Sequence, residues 1–195
     1  MTGHGVILYG PPASGKDTIT AELARQDARY APLAKLKAGT GRTTGYRHIS
    51  PVDLDELRAA GRLAVETHRY GNIYAIERDD IAALVEADRV PVVHMGNLPD
   101  LQRLRAAIPL DWTTVLLWIP RAVCADRSQH RGDADTPARL QAWDETRHDL
   151  HTATGPVFNL IINTNQTDPA EAAQHIITTM ATGPGPPVTV PPDLD

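Results

Sequence analysis

Residues 10–18 read Gly-Pro-Pro-Ala-Ser-Gly-Lys-Asp-Thr, and this stretch decides the fold. It follows an apolar run at residues 6–9 and precedes a helical pattern at residues 17–25, so a buried strand passes through a glycine-rich turn into a helix. This is the Walker A pattern G-x-x-x-x-G-K, in which backbone N–H groups cradle phosphates and the lysine reaches the outer ones. The sequence therefore predicts a nucleotide phosphate-binding loop formed by Gly10, Ala13, Ser14, Gly15, Lys16, Asp17 and Thr18.

The residue after the lysine departs from the usual pattern, in which a Ser or Thr hydroxyl binds the metal. Asp17 stands there, and Thr18 follows one position later. We expect ATP and Mg²⁺ as cofactors, with Asp17 and Thr18 as candidate metal ligands. An acidic residue also stabilises the first turn of a helix, so a purely structural Asp17 remains an alternative. Because no apolar strand ends in an Asp, we expect phosphates and water to supply most of the magnesium ligands.

The composition excludes several classes of protein. The chain has 195 residues, of which 19 are Lys or Arg and 24 are Asp or Glu, and its formal net charge is -5. This acidic balance disfavours nucleic acid as a partner, and a single cysteine excludes an intrachain disulfide. There is neither an apolar run of about 18 residues nor a leader pattern, so we expect a cytoplasmic protein without a membrane partner. The composition leaves the oligomeric state open.

Strand patterns alternate with helix patterns along most of the chain. This order predicts an α/β fold with a parallel sheet covered by helices on both faces, and a ligand site beyond the carboxyl ends of the strands. Residues 36–47 combine three glycines with three basic residues, which predicts a basic loop or irregular strand outside the core. Residues 1–182 are expected to form one domain, and the Pro-rich residues 183–195 a disordered tail.

From Gly10 to about Asn163, the chain resembles the guanylate kinase family of P-loop nucleoside monophosphate kinases and its relative, the ribose 1,5-bisphosphate phosphokinases. Four groups of residues carry this resemblance, namely Gly10 to Thr18; Arg42 followed by Tyr46-Arg-His-Ile-Ser50; Glu66 with Tyr70-Gly-Asn-Ile-Tyr74; and Arg127, Arg131-Gly132 and Arg139. The resemblance implies a core at residues 1–34 and 89–182, an inserted acceptor-binding lobe at residues 35–88, and a short lid at about residues 131–139.

The resemblance also implies which residues of the lobe bind the acceptor. Arg42, Tyr46 and Tyr74 would hold its phosphate, and Lys37 or Lys35 would replace an arginine of the family. The carboxylate of Glu66 would accept hydrogen bonds from the N–H groups of a guanine. His94, at the end of a strand, would lie against the acceptor. Structural roles remain alternatives, with packing for the tyrosines, an outward carboxylate for Glu66 and a hydrogen-bonded structural role for His94.

The remaining matches concern the lid and the donor nucleotide. Arg131 and Arg139 resemble lid arginines that act with Lys16 on the transferring phosphoryl group. Arg127 would join them at the donor, and Asn163 would meet the donor base. A solvated helix face for Arg127 and a plain turn for Asn163 are the alternatives.

Together these features predict an ATP-dependent enzyme whose partner is a small phosphorylated acceptor. The first interpretation is a kinase of GMP or of a modified, GMP-like nucleotide. Ile76 stands where the family has a small hydroxyl residue that helps to bind guanine, so phosphorylation of a sugar phosphate such as ribose 1,5-bisphosphate is the alternative. A non-catalytic binding module is a third interpretation, but such modules generally have degraded phosphate loops.

Overall fold

Two β-sheets with surrounding helices organise the protein. The structure is a computed structural model, and it describes residues 3–41, 43–69, 71–130, 136–183 and 185–190. In chain order the elements are β1 (His4–Tyr9), α1 (Lys16–Gln26), β2 (Tyr30–Pro32), β3 (Lys35–Ala38), β4 (Tyr46–His48), α2 (Pro51–Ala59), β5 (Leu63–Arg69), β6 (Asn72–Glu77), α3 (Arg78–Glu86), β7 (Val90–Met95), α4 (Leu98–Ala107), β8 (Asp111–Trp118), α5 (Arg121–His130), α6 (Thr136–Thr152), β9 (Leu160–Asn163) and α7 (Pro169–Ala181).

The larger sheet has five parallel strands in the order β2-β7-β1-β8-β9. Its central strand, β1, is buried on both faces, with Val6 and Leu8 in one apolar cluster and Ile7 and Tyr9 in another. Burial on both faces explains why this strand is a continuous apolar run with no polar alternation. The prediction of an α/β fold with a parallel sheet is confirmed.

Helices cover the two faces of this sheet. On one face, Ile19 and Leu23 of α1 share an apolar cluster with Ile176 of α7. On the other face, helices α3 to α6 contribute to the larger cluster, with Leu101 of α4 and Trp143 of α6 among its members. The carboxyl end of β1 therefore opens into a space bounded by helices from both layers.

The smaller sheet has four strands in the order β4-β3-β6-β5 and a small core of its own. Leu36 and Ala38 of β3 pack there with Leu54 of α2 and Ala75 of β6. Residues 36–47 were predicted to be a basic loop or irregular strand outside the core. Their ends form the strands β3 and β4, and the placement outside the core was wrong for Leu36 and Ala38. Two lysines give β3 a polar composition, but the residues that alternate with them, Leu36 and Ala38, are apolar and buried.

The described part of the C-terminal tail contacts the core. The backbone N–H of Val188 donates to the carbonyl of Phe158 at 2.7 Å, and Val190 packs against the larger apolar cluster. Composition alone did not indicate this contact. Among the described residues, no helix combines the length and the apolar character that a membrane span requires.

The contact between β1 and β8 yields a prediction about stability. A Cβ added at Gly5 would lie 2.4 Å from the ring of Trp112, which is buried. We expect Gly5→Ala to lower the free energy of unfolding by about 1–3 kcal/mol, because the indole must shift within a packed core. Urea denaturation measures this loss. Gly185→Ala is the matched control, since a Cβ there meets no atom within 4 Å, and equal midpoints for the two variants would contradict the prediction.

Candidate functional site

The predicted phosphate-binding loop lies between β1 and α1, at the carboxyl end of the central strand. Its backbone has positive φ at Gly10, Ala13 and Gly15. Position 10 requires glycine, because a Cβ there would lie 2.2 Å from the carbonyl oxygen of Leu117 on β8. Gly15 is the N-cap of α1 and provides no side-chain cap. The first N–H groups of the helix are thus left for a ligand, and the helix dipole favours an anion there.

The ammonium of Lys16 lies over this loop. It donates to the carbonyl oxygens of Gly10 and Pro11, both at 2.8 Å, and to the hydroxyl of Ser14 at 3.3 Å. Burial lowers the pKa of Lys16 to about 8. Neutral acceptors compensate a buried charge only in part, so an anion entering the loop would gain a strong electrostatic partner.

Three side chains hold the loop from beneath. Arg127 of α5 donates to the carbonyl oxygens of Ala13 at 3.1 Å and Thr164 at 2.8 Å. The hydroxyl of Thr164 donates to Ser14 O at 3.0 Å, and the thiol of Cys124 donates to Pro12 O at 3.3 Å. Arg127 therefore lies under the loop and not on a solvated helix face, and its hydrogen bonds tie the loop to the turn after β9.

One cavity of about 300 Å³ joins the loop to the smaller sheet. It is lined from the core by the loop and by the end of β7, from the smaller sheet by β3 to β6, and from the other side by α4 and α6. Ten predicted site residues line this cavity, namely Gly10, Ala13, Ser14, Gly15, Lys16, Asp17, Tyr46, Tyr74, His94 and Arg139. The structure thus brings predicted donor and acceptor residues together in the same space.

Other predicted site residues do not line this cavity. Thr18 is exposed on α1, and Asn163 accepts a hydrogen bond from the backbone N–H of Asn165 in the turn after β9, at 3.0 Å. Lys37, Glu66 and Arg127 are also absent from the lining. The predicted phosphate ligand Arg42 and the predicted lid arginine Arg131 lie outside the described residues.

Two tyrosines form the wall of the cavity opposite the phosphate loop. The ring centroids of Tyr46 and Tyr74 lie 5.3 Å apart. The buried Lys37 places its ammonium over both rings, 5.6 and 5.8 Å from their centroids. Burial raises the pKa of Tyr74, so its hydroxyl stays protonated and can donate to a phosphate. Lys37 adds positive charge behind this pair without lining the cavity.

Glu66, which was predicted to read a guanine base, is held outside the cavity. Its carboxylate accepts from Arg58 of α2 at 2.9 and 3.0 Å and lies 2.7 Å from His68. The hydrogen bonds from Arg58 are the main cause of the lowered pKa of Glu66. Thr67 and Arg69, which alternate with Glu66 along β5, are the residues of that strand that line the cavity. This geometry agrees with the alternative role given for Glu66, that of a carboxylate directed away from the site.

His94, near the end of β7, contacts two residues of α1. Its Nε2 is 2.7 Å from the hydroxyl of Thr20, and its Nδ1 is 3.5 Å from the carboxylate of Asp17. The side chain of Asp17 is 65% exposed, so it remains accessible to a ligand beside the loop. Within the described parts of the chain, no three His, Cys, Asp or Glu side chains form a cluster that could hold a metal ion.

Sequence reasoning missed a polar group in the cavity wall centred on Asp100. This buried carboxylate of α4 accepts from Thr67 at 2.5 Å, from the Asn97 side chain at 2.7 Å and from Arg103 at 2.7 Å. Lys35 lies nearby, and burial lowers the pKa of its ammonium to about 8. The capping pattern that begins at Asn97 is visible in the sequence, but it indicates a helix start and not a ligand site.

Arg69 connects the smaller sheet to the helix that carries Arg139. It donates to the carboxylate of Glu145 on α6 at 2.5 Å and to the carbonyl of Gly96 at 3.5 Å. Arg69 also lines the cavity. The ion pair therefore joins the acceptor wall of the cavity to α6 in this structure.

No protein-family model and no curated protein matches the chain. Its structure is similar to guanylate kinase from Anaplasma phagocytophilum, with 13% sequence identity, a TM-score of 0.67, and coverage of 93% of this chain and 86% of that chain. It is also similar to the YorR protein from Bacillus subtilis in complex with phosphorylated GDP, with 16% identity, a TM-score of 0.52, and coverage of 90% and 95%. These similarities confirm the expected resemblance at the level of structure, and the chain therefore has the P-loop fold of a guanylate kinase.

Proposed function

We propose that the protein is an ATP-dependent phosphotransferase that converts a nucleoside monophosphate, GMP or a GMP-like nucleotide, to the diphosphate. The observation that carries this proposal is the shared cavity, which has the phosphate loop with Lys16 on one wall and Tyr46 and Tyr74 on the opposite wall. Such an arrangement suits a donor phosphate and an acceptor phosphate that meet in the middle. The similarity of the fold to a guanylate kinase supports the same class of reaction.

Catalysis by this site would be positional and electrostatic. The oxygen of an acceptor phosphate is already anionic, so the transfer requires alignment and charge stabilisation more than a general base. Lys16 would bind the outer phosphates of the donor, and Arg139, which lines the cavity from α6, would approach the transferring group. We propose Arg131 as a second lid arginine by its position in the sequence.

The same geometry supports one candidate protein ligand for a metal ion. Asp17 is exposed beside the loop and lines the cavity, which suits a cation that takes one carboxylate together with phosphate oxygens and water. Thr18 does not line the cavity, so we propose Asp17 as the protein ligand. A bound Mg²⁺ would supply neutralisation of the phosphate charge.

A sugar phosphate remains the second candidate for the acceptor, because of one specific observation. Glu66 is engaged by Arg58 outside the cavity, so the carboxylate expected to recognise guanine is not available there. A coupled ADP-release assay with ATP and Mg²⁺ separates the candidates across nucleoside monophosphates, their deoxy forms and ribose 1,5-bisphosphate. Preference for a guanine nucleotide supports the first acceptor, preference for the sugar supports the second, and no turnover contradicts phosphorylation of any acceptor in this panel.

Lys16→Met tests the role of the phosphate loop. We expect turnover to fall by roughly 100-fold or more, because a buried positive charge at the transferring group is lost. Thermal unfolding should show no loss of stability, since burial disfavours the charged ammonium that the variant removes. Arg25→Met, which removes a cation that is exposed on α1, is the control. Wild-type turnover in Lys16→Met would rule out the proposed function of the loop.

The pKa of Lys16 also predicts how ATP binding depends on pH. In the empty site the pKa is about 8, and bound phosphates raise it, so the charged ammonium that binds ATP is lost as the pH rises through 8. We expect ATP affinity to fall by roughly tenfold between pH 7.5 and 9. Calorimetry in EDTA measures this without a metal ion. A flat profile in the wild type, or the same slope in Lys16→Met, would contradict the assignment.

A further inference from the structure

The ammonium of Lys35 has an unusual hydrogen-bond partner. It is the first residue of β3, and its ammonium lies in the cavity wall with the sulfur of Met95 at 3.7 Å as its hydrogen-bond partner. Throughout the described residues, no carboxylate lies within ion-pair distance of this ammonium. A thioether is a weak acceptor, and an ammonium has three donors and no acceptor of its own. Among the described residues, none therefore offers this ammonium an oxygen acceptor, whereas a ligand in the cavity can.

The carboxylate of Asp100 does not supply an oxygen acceptor to Lys35. Asp100 already accepts hydrogen bonds from Thr67, Asn97 and Arg103. These three donors fix its two oxygens, and it acts on Lys35 only through space, in the direction that favours the charged ammonium. Lys35 and Asp100 thus place opposite charges in the cavity wall without a hydrogen bond between them.

Lys35 is also separate from the phosphate loop. Lys16 occupies the loop with its own three hydrogen bonds, whereas Lys35 belongs to the smaller sheet and neighbours Tyr46 across the β3–β4 pair. The ammonium donates to the sulfur of Met95 at the end of β7, and no described carbonyl oxygen of the loop is among its hydrogen-bond partners. Its position is that of a residue which contacts the acceptor and not the donor.

We propose that Lys35 determines acceptor specificity by donating to an electron-rich oxygen of the acceptor, other than the oxygens of the phosphate at Tyr46 and Tyr74. This proposal rests on the proposed phosphotransferase function and specifies the acceptor. The required oxygen can belong to the ring carbonyl of a base or to a second anionic group on a sugar. Asp100 is a positioning residue, which holds Thr67 and keeps the local charge balanced.

The first test compares matched acceptors in wild type and Lys35→Met. One pair is GMP and 2-aminopurine riboside monophosphate, which lacks the ring carbonyl, and the other is ribose 1,5-bisphosphate and ribose 5-phosphate. In the pair that the enzyme accepts, we expect wild-type kcat/KM to favour the oxygen-bearing member by roughly 10- to 100-fold, the range for a hydrogen bond to a charged group. Lys35→Met should abolish this preference, because it lowers kcat/KM on the oxygen-bearing member by that factor and on the other member by much less. Arg25→Met should retain the preference.

The second test does not depend on turnover. Lys16, Lys35 and Lys37 are the three lysines of the chain, so reductive methylation followed by mass spectrometry can report each of them. ATP should protect Lys16 and not Lys35, and the preferred acceptor should protect Lys35. If ATP fails to protect Lys16, the proposed function is wrong and this inference fails with it. If ATP protects Lys16 and acceptors are phosphorylated, but Lys35 stays reactive or Lys35→Met keeps the preference, the inference alone is wrong.

Discussion

The site depends on one constraint, which is that a partly buried positive charge must be held with no carboxylate of the described residues in contact with it. Lys16 meets this constraint with backbone carbonyls and one hydroxyl, an arrangement that holds only if the loop keeps its shape. The clamp formed by Arg127, Thr164 and Cys124 provides that rigidity from below. The close approach of Gly10 to β8 provides it from the side. The central sheet thus serves as the support on which an uncompensated charge is held ready for an anion.

The constraint also explains the division of the molecule into two sheets. The larger sheet buries β1 on both faces and so fixes the loop at its end. The smaller sheet has only a small apolar core, and it contributes mostly polar side chains to the cavity. The larger sheet therefore fixes the residues that would bind the donor. The smaller sheet carries polar residues whose identity can vary with the acceptor. Lys35 and Thr67 belong to the smaller sheet, and Asp100 of α4 adjoins it.

How much could be read from the sequence depended on whether the signal was local. The phosphate loop and the parallel sheet were predictable because a strand, a turn and a helix follow one another within a few residues. The residues of β5 that reach the cavity could not be predicted in this way. Successive side chains of a strand point to opposite faces, so an error of one position exchanges Glu66 for Thr67. The pairing of β5 with β6 shifts between Leu63 and Val65, and no sequence pattern marks that shift. Asp100 was missed because its helix-capping pattern has a sufficient structural explanation.

The ion pair between Arg69 and Glu145 has a consequence for the solution behaviour of the molecule. Glu145 is 51% exposed, so dissolved ions reach this contact and screen it. The pair joins a strand of the smaller sheet to the helix that carries Arg139, and any motion that widens the cavity along this line must stretch it. Ionic strength therefore acts on this contact in the cavity wall, while the buried clamp beneath the phosphate loop is shielded from the same ions.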